Sequence, residues 1–171
     1  PIERPGNLIP QFYEKHIYED QRVMDGLKLM VWGFFKKVVI ADKVAMIVER
    51  VYQDPTSYTG APLIAGALFF GIQVYCDFSG YSDIAIGAAQ VMGFRLRDNF
   101  NRPFHSTSMT EFWRRWHMSL MSWFRDYVYI PLGGNRVGKW RWYYNIFFTF
   151  TLSGLWHGAG WGYVLWGSLN G

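Results

Sequence analysis

The sequence predicts an all-α, multi-span integral membrane protein with broken or re-entrant and interfacial helices, and three observations carry that expectation. Half of the 171 residues are hydrophobic and a fifth are aromatic, with nine Trp, eleven Tyr and fourteen Phe, well above what a soluble core of this size needs. Ala61 to Cys76 carries no charge, and from Tyr143 to the chain end His157 is the one side chain that titrates near neutrality. Charge is segregated from these stretches: between Arg95 and Arg141 nine Lys and Arg face three acids, a local net of +6 in a chain whose total is +4.

Taken in order, Pro1 to about Asp20 is polar and punctuated by proline, a loop entering a short helix around Gln11 to Asp20. Val23 to Val51 repeats apolar residues at helical spacing, interrupted by Lys28, Lys36 and Lys37, which suits a tilted span with snorkelling lysines or an interfacial helix. Gln53 to Gly60 is a turn-rich break. The uncharged stretch that follows approaches the ~20 residues needed to cross hydrocarbon. Asp77-Phe78-Ser79-Gly80-Tyr81-Ser82-Asp83 then precedes a second small-residue helix, Ile84 to Phe94, and is expected to break the helix where backbone lines a cavity.

Ser108-Met109-Thr110-Glu111 is a capping box that starts a helix expected to run through about Tyr127, with Trp113, His117, Leu120 and Phe124 along one stripe. Pro131 to Arg136 ends it. An apolar helix from Trp142 reaches Gly154 ahead of a glycine cluster around His157. The sequence neither starts with Met nor shows a signal peptide, and it reads as the central part of a longer chain, with 1–171 as one partial domain.

The basic balance suits a cytoplasmic face and anionic headgroups, whereas nucleic-acid binding is disfavoured by the density of Trp and Phe around the charge. A single cysteine, Cys76, removes disulfide and CxxC chemistry. The four histidines lack metal-ligand spacing, and no G-x-S-x-G occurs.

Two histidines stand out. His157 lies among Gly154, Gly158, Gly160 and Gly162 with Trp156 and Trp161 on either side, so that small residues admit a ligand's chain and indoles wall a dry pocket. Desolvation would keep this imidazole neutral and able to accept a proton, as a general base must; its structural alternative is a hydrogen-bonded histidine between packed helices. His117, in Trp113-Arg114-Arg115-Trp116-His117, would bring a second imidazole beside two guanidiniums suited to phosphate or carboxylate groups, against the alternative of a headgroup-binding interfacial helix. Asp77, Ser79, Tyr81 and Asp83 read as a buried polar network, with contact to a substrate hydroxyl as the functional alternative. His16 and His105 read as solvated.

Phe100-Asn101-Arg102-Pro103-Phe104, Thr110-Glu111-Phe112-Trp113-Arg114-Arg115-Trp116-His117, Phe124 through Arg136 and Gly154-Leu155-Trp156-His157-Gly158 together resemble the membrane-bound O-acyltransferase family, over nearly the whole chain. The run Ile130-Pro131-Leu132-Gly133-Gly134-Asn135-Arg136 is similar to its bacterial branch that O-acetylates alginate. The resemblance implies His157 as the active-site histidine and His117 as its second histidine, with Arg114, Arg115, Trp116, Trp156, Asp77 and Ser79 as candidate substrate- or donor-binding residues. It also implies an acyl thioester as co-substrate, with no bound cofactor and no metal. The implied setting is the bacterial inner membrane, with a polysaccharide acceptor, the lipid bilayer and other polysaccharide-modification proteins as partners and no nucleic acid. Transfer of D-alanyl or another acyl group, and a non-catalytic transporter or channel lined by His157, are the alternatives.

Overall fold

The computed structural model describes all of residues 1–171, and its regular structure is helical throughout, without strands. The chain divides into two compact units, one of residues 3–101 with Pro1 and one of residues 102–171 with Ile2.

In the first unit, α1 (Pro5–Gln11) begins with Pro5 in the first turn, where a missing N–H costs nothing. The first helix therefore precedes the expected Gln11 to Asp20 position, and residues 12–19 leave helical geometry except for a short turn. Gln11 is buried and holds Arg95 by both polar atoms, donating to its carbonyl at 3.0 Å and accepting from its N–H at 2.7 Å. His16 is exposed, as expected, and one side of its ring rests on Phe94 with centroids 4.6 Å apart.

The helix predicted for Val23 to Val51 forms and extends beyond it. α2 (Asp20–Phe34) passes through a π-helical segment, Phe35–Ala41, into α3 (Asp42–Gln53) without leaving right-handed geometry. After a short turn, α4 (Ala61–Met92) runs back antiparallel to it as one unbroken helix. The break expected at Asp77 to Asp83 does not occur. Each carboxylate meets a cation from the π segment, so the backbone need not open to solvate it: Lys36 Nζ lies 2.7 Å from Asp83, and Lys37 Nζ lies 2.6 Å from Asp77 and 2.8 Å from Asp42. Neither lysine snorkels away.

Glycines let the two helices approach to backbone contact. A Cβ on Gly33 would lie 2.6 Å from the Gly80 carbonyl oxygen, and one on Gly26 would lie 2.7 Å from that of Gly87. α4 ends at Gly93 in the left-handed region (φ 97°), with Phe94 N–H bonded to Ala89 O at 2.8 Å, a Schellman-type stop. Arg22 adds its guanidinium to the last carbonyls, donating to Gln90 O at 2.7 Å and Val91 O at 3.1 Å.

The second unit contains α5 (Met109–Arg115), α6 (Met118–Phe124), a π turn at Arg125–Tyr129, α7 (Lys139–His157) and α8 (Trp161–Asn170). Ser108 caps α5 as expected, its hydroxyl accepting from Glu111 N–H at 3.1 Å. Glu111 reaches one residue further back than in the usual box, to Thr107 N–H at 2.8 Å. The single helix expected through Tyr127 is interrupted: Trp116 is extended and His117 is left-handed, at φ 43° and ψ 51°.

The Pro131 to Arg136 loop turns on Gly133 (φ 106°) and Gly134 (φ 55°), conformations costly for a residue with a Cβ. Asn145, fully buried on α7, clamps it by donating to Leu132 O at 3.1 Å and Gly134 O at 3.0 Å. The apolar stretch from Tyr143 folds as two helices, α7 and α8, packed where Gly154 meets Gly167. By length and composition one helix of the chain, α4, can cross a membrane.

Candidate active site

His117 occupies the break between α5 and α6, where its left-handed backbone costs about 1 kcal/mol or more that the surrounding packing must supply. Strain of this kind at a non-glycine residue concentrates at functional positions. The side chain is only 6% exposed, and its ring lies 6.3 Å from that of Trp156 on α7. Burial, and after it the charge of His157, pushes the His117 pKa down to about 4. The imidazole is therefore neutral at physiological pH, and Trp156 lies against both histidine rings.

His157 is the last residue of α7. Its Nδ1 lies 2.7 Å from Ser153 O one turn back. A carbonyl oxygen can only accept, so Nδ1 carries the proton and, in the neutral ring, the lone pair sits on Nε2. The ring meets Trp156 edge-on at 4.9 Å and Trp166 of α8 at 5.3 Å. The indole partners are thus Trp156 and Trp166, whereas Trp161 is 82% exposed. His157 is itself exposed, because α7 stops and the chain turns through Gly158–Gly160 beside it. The dry pocket expected around it does not close within this chain.

The candidate binding residues separate into groups. Trp156 touches both histidines. Arg115 is held by Glu111 at 2.6 Å across one helical turn, and Trp116 stacks on Phe112 at 5.5 Å. Arg114 is exposed and lines a cleft of about 1050 Å³. Asp77 and Ser79 belong to the first unit and are engaged there, Asp77 by Lys37 and Ser79 by the Lys36 ammonium, which donates to its hydroxyl at 3.0 Å.

The cleft is mostly apolar, lined by Met109, Trp113, Met118, Tyr129 and Phe150 among others, with Arg114 and Arg125 on its wall. Neither histidine lines it. Trp113 links the two regions, since it lines the cleft and meets Trp166 at 6.2 Å, and Trp166 is the ring against His157. Sequence reasoning singled out neither Arg125 nor Asn145. Arg125 is carried within the Phe124 to Arg136 run, but only the folded chain shows it on the cleft wall.

Residues 24–171 match the family model of the membrane-bound O-acyltransferases. The chain belongs to that family. Over its whole length this membrane-bound O-acyltransferase chain is 47% identical to a Pseudomonas putida protein named "Probable alginate O-acetylase", of which it covers 35%. It is 39% identical, again over its whole length, to a Helicobacter pylori peptidoglycan O-acetyltransferase, of which it covers 33%. Over 98% of its length it is 38% identical to a Bacillus subtilis teichoic acid D-alanyltransferase, of which it covers 45%. The chain thus spans about a third of the length of the first of these relatives. Its family match runs across both compact units.

Proposed function

We propose that this chain carries the catalytic centre of a bacterial inner-membrane O-acyltransferase that moves an acetyl group from a thioester donor to hydroxyls of an extracellular or periplasmic polysaccharide, alginate foremost. The observation that carries the reading is the Nδ1 contact of His157 with Ser153 O, which leaves Nε2 as the basic nitrogen at an exposed position. Alginate is favoured because identity is higher to the alginate relative, at 47%, than to the peptidoglycan and D-alanyl relatives, at 39% and 38%.

In this mechanism the hydroxyl proton passes to His157 Nε2 as the sugar oxygen attacks the thioester carbonyl carbon. The new C–O bond forms a tetrahedral oxyanion, which collapses by breaking the C–S bond. The thiolate then takes the proton back from the imidazolium, so the histidine ends as it began. His117, buried and neutral beside Trp156, orients the site rather than adding a second positive charge. The acyl donor is a co-substrate whose chain the mostly apolar cleft can take, with Arg114 available to its anionic groups. Other polysaccharide-modification proteins would deliver the donor and acceptor.

The test is acetyl incorporation into polysaccharide per molecule of folded full-length enzyme. His157→Gln retains a polar side chain that cannot accept a proton at neutral pH, and should cost on the order of 10²–10⁴ in rate with membrane insertion unchanged. Unchanged activity per molecule would make His157 structural and return the transporter or channel reading. Incorporation of D-alanine in place of acetate would move the chain to the D-alanyl reading, which the Bacillus subtilis relative favours.

A further inference from the structure

His157 ends α7 with a glycine turn after it, and its one hydrogen bond runs from Nδ1 to Ser153 O at 2.7 Å. A single hydrogen bond fixes one point of an imidazole and leaves the ring free to rock about that point, which swings Nε2 through an arc. A second contact on the ring is needed to stop the swing.

Two indoles touch this imidazole, and they differ in what holds them. Trp156 is the preceding residue on the same helix, is 55% exposed, and has the two imidazoles as its ring contacts. Trp166 comes from α8, whose backbone is locked to α7 beside it. A Cβ on Gly167 would lie 2.8 Å from Gly154 Cα, and the hydroxyls of Thr151 and Ser168 are bonded at 2.9 Å. The indole of Trp166 is also backed by Trp113 at 6.2 Å, and Trp113 is itself set edge-to-face on Phe150 of α7 at 5.5 Å. Its position is therefore fixed by three helices.

We infer that Trp166 is a positioning residue of this centre: its ring, meeting the imidazole at 5.3 Å and 73°, stops His157 from rocking about the Ser153 hydrogen bond and so aims Nε2 at the attacking hydroxyl. This deepens the acyl-transfer reading and rests on His157 as its base. Alignment governs the chemical step steeply, since a displacement of ~1 Å can cost on the order of 10²-fold in rate. Trp166 lines no part of the apolar cleft, so its removal should act on the chemical step and leave donor binding alone.

The experiment measures acetyl transfer by the full-length enzyme in membranes, per molecule of folded protein, with the donor concentration varied. Trp166→Leu is expected to lower kcat at least about tenfold with the donor KM within about twofold, and Trp166→Phe, which restores an aromatic ring, should recover most of the loss. Trp161→Leu removes an indole that is 82% exposed and should change neither constant. The double variant His157→Gln with Trp166→Leu should be no slower than His157→Gln alone, because the indole acts only through the base. A full kcat for Trp166→Leu, a loss that Phe does not recover, or a further tenfold drop in the double variant overturns the inference and leaves His157 as the base. Full activity of His157→Gln alone overturns the base reading itself. Where Leu lowers the recovery of folded protein, Trp166→Met refills the space without a ring and is read in the same way.

Discussion

Two polar interruptions of apolar helix, Asp77 to Asp83 in α4 and Ser153 to His157 at the end of α7, are resolved in opposite ways. In the first, lysines from a neighbouring helix meet the carboxylates, and α4 continues through them to Met92. In the second no opposite charge is present. His157 satisfies one nitrogen on its own helix, the helix stops, and the ring is exposed with its second nitrogen basic. Both regions close on glycine against glycine, Gly33 on Gly80 and Gly154 on Gly167, so tight backbone packing is common to them. What differs is whether a partner cancels the polar group. A cancelled group stabilises and is chemically silent, whereas one left with an open nitrogen can do chemistry.

The contrast can be broken most severely at its shared element. Gly80→Val would drive a side chain into the Gly33 carbonyl oxygen, 2.7 Å from the position of a Cβ, in backbone that cannot yield. Folded full-length protein recovered in detergent should fall to near nothing, whereas Gly6→Ala, with nothing within 4 Å of its Cβ, should leave it unchanged. Equal recovery of both would show that the α2–α4 approach is looser than described.

The next effect separates the two histidines by pH. The folded-state His117 pKa lies near 4, below the ordinary 6.5, so on acidification the unfolded chain takes up this proton first. The His117 contribution to stability is therefore full above about pH 6.5 and is lost as pH falls from there to about 4. Melting temperatures of wild type and His117→Gln between pH 7 and 4 should show a shallower decline for the variant. Parallel curves would mean that His117 is not the buried neutral group described.

A smaller loss is expected at the loop clamp. Asn145→Ala removes two hydrogen bonds, to Leu132 O and to O of the buried Gly134, a cost of about 1–3 kcal/mol. Denaturation midpoints of the full-length protein would detect it. Ser108→Ala should cost least, about 1 kcal/mol through the cap of α5, with little change in acetyl transfer. A transfer defect there beyond the loss of folded protein would tie α5 more closely to the site than its cap suggests.

Helical class, the Ser108 cap and the Pro131 to Arg136 turn were legible in the chain. Each depends on local spacing or on a motif carried by neighbouring residues. Less legible were the partners. Asp77 to Asp83 reads as a helix breaker when taken alone, because the lysines that neutralise it lie some forty residues upstream. The stripe through Trp113 and His117 reads as one helix, since periodicity does not reveal a left-handed residue that only packing enforces.

By itself the sequence determined the helical class, the long helical runs and where charge is excluded, because backbone propensity and hydrophobic periodicity act over a few residues. Tertiary structure alone decided that α4 runs unbroken, that Arg115 is spent on Glu111 while Arg114 and Arg125 face a cleft, and that Trp166 rather than Trp161 packs on His157. These outcomes turn on whether a polar or aromatic group finds its complement in another element, and that depends on distances no single segment contains.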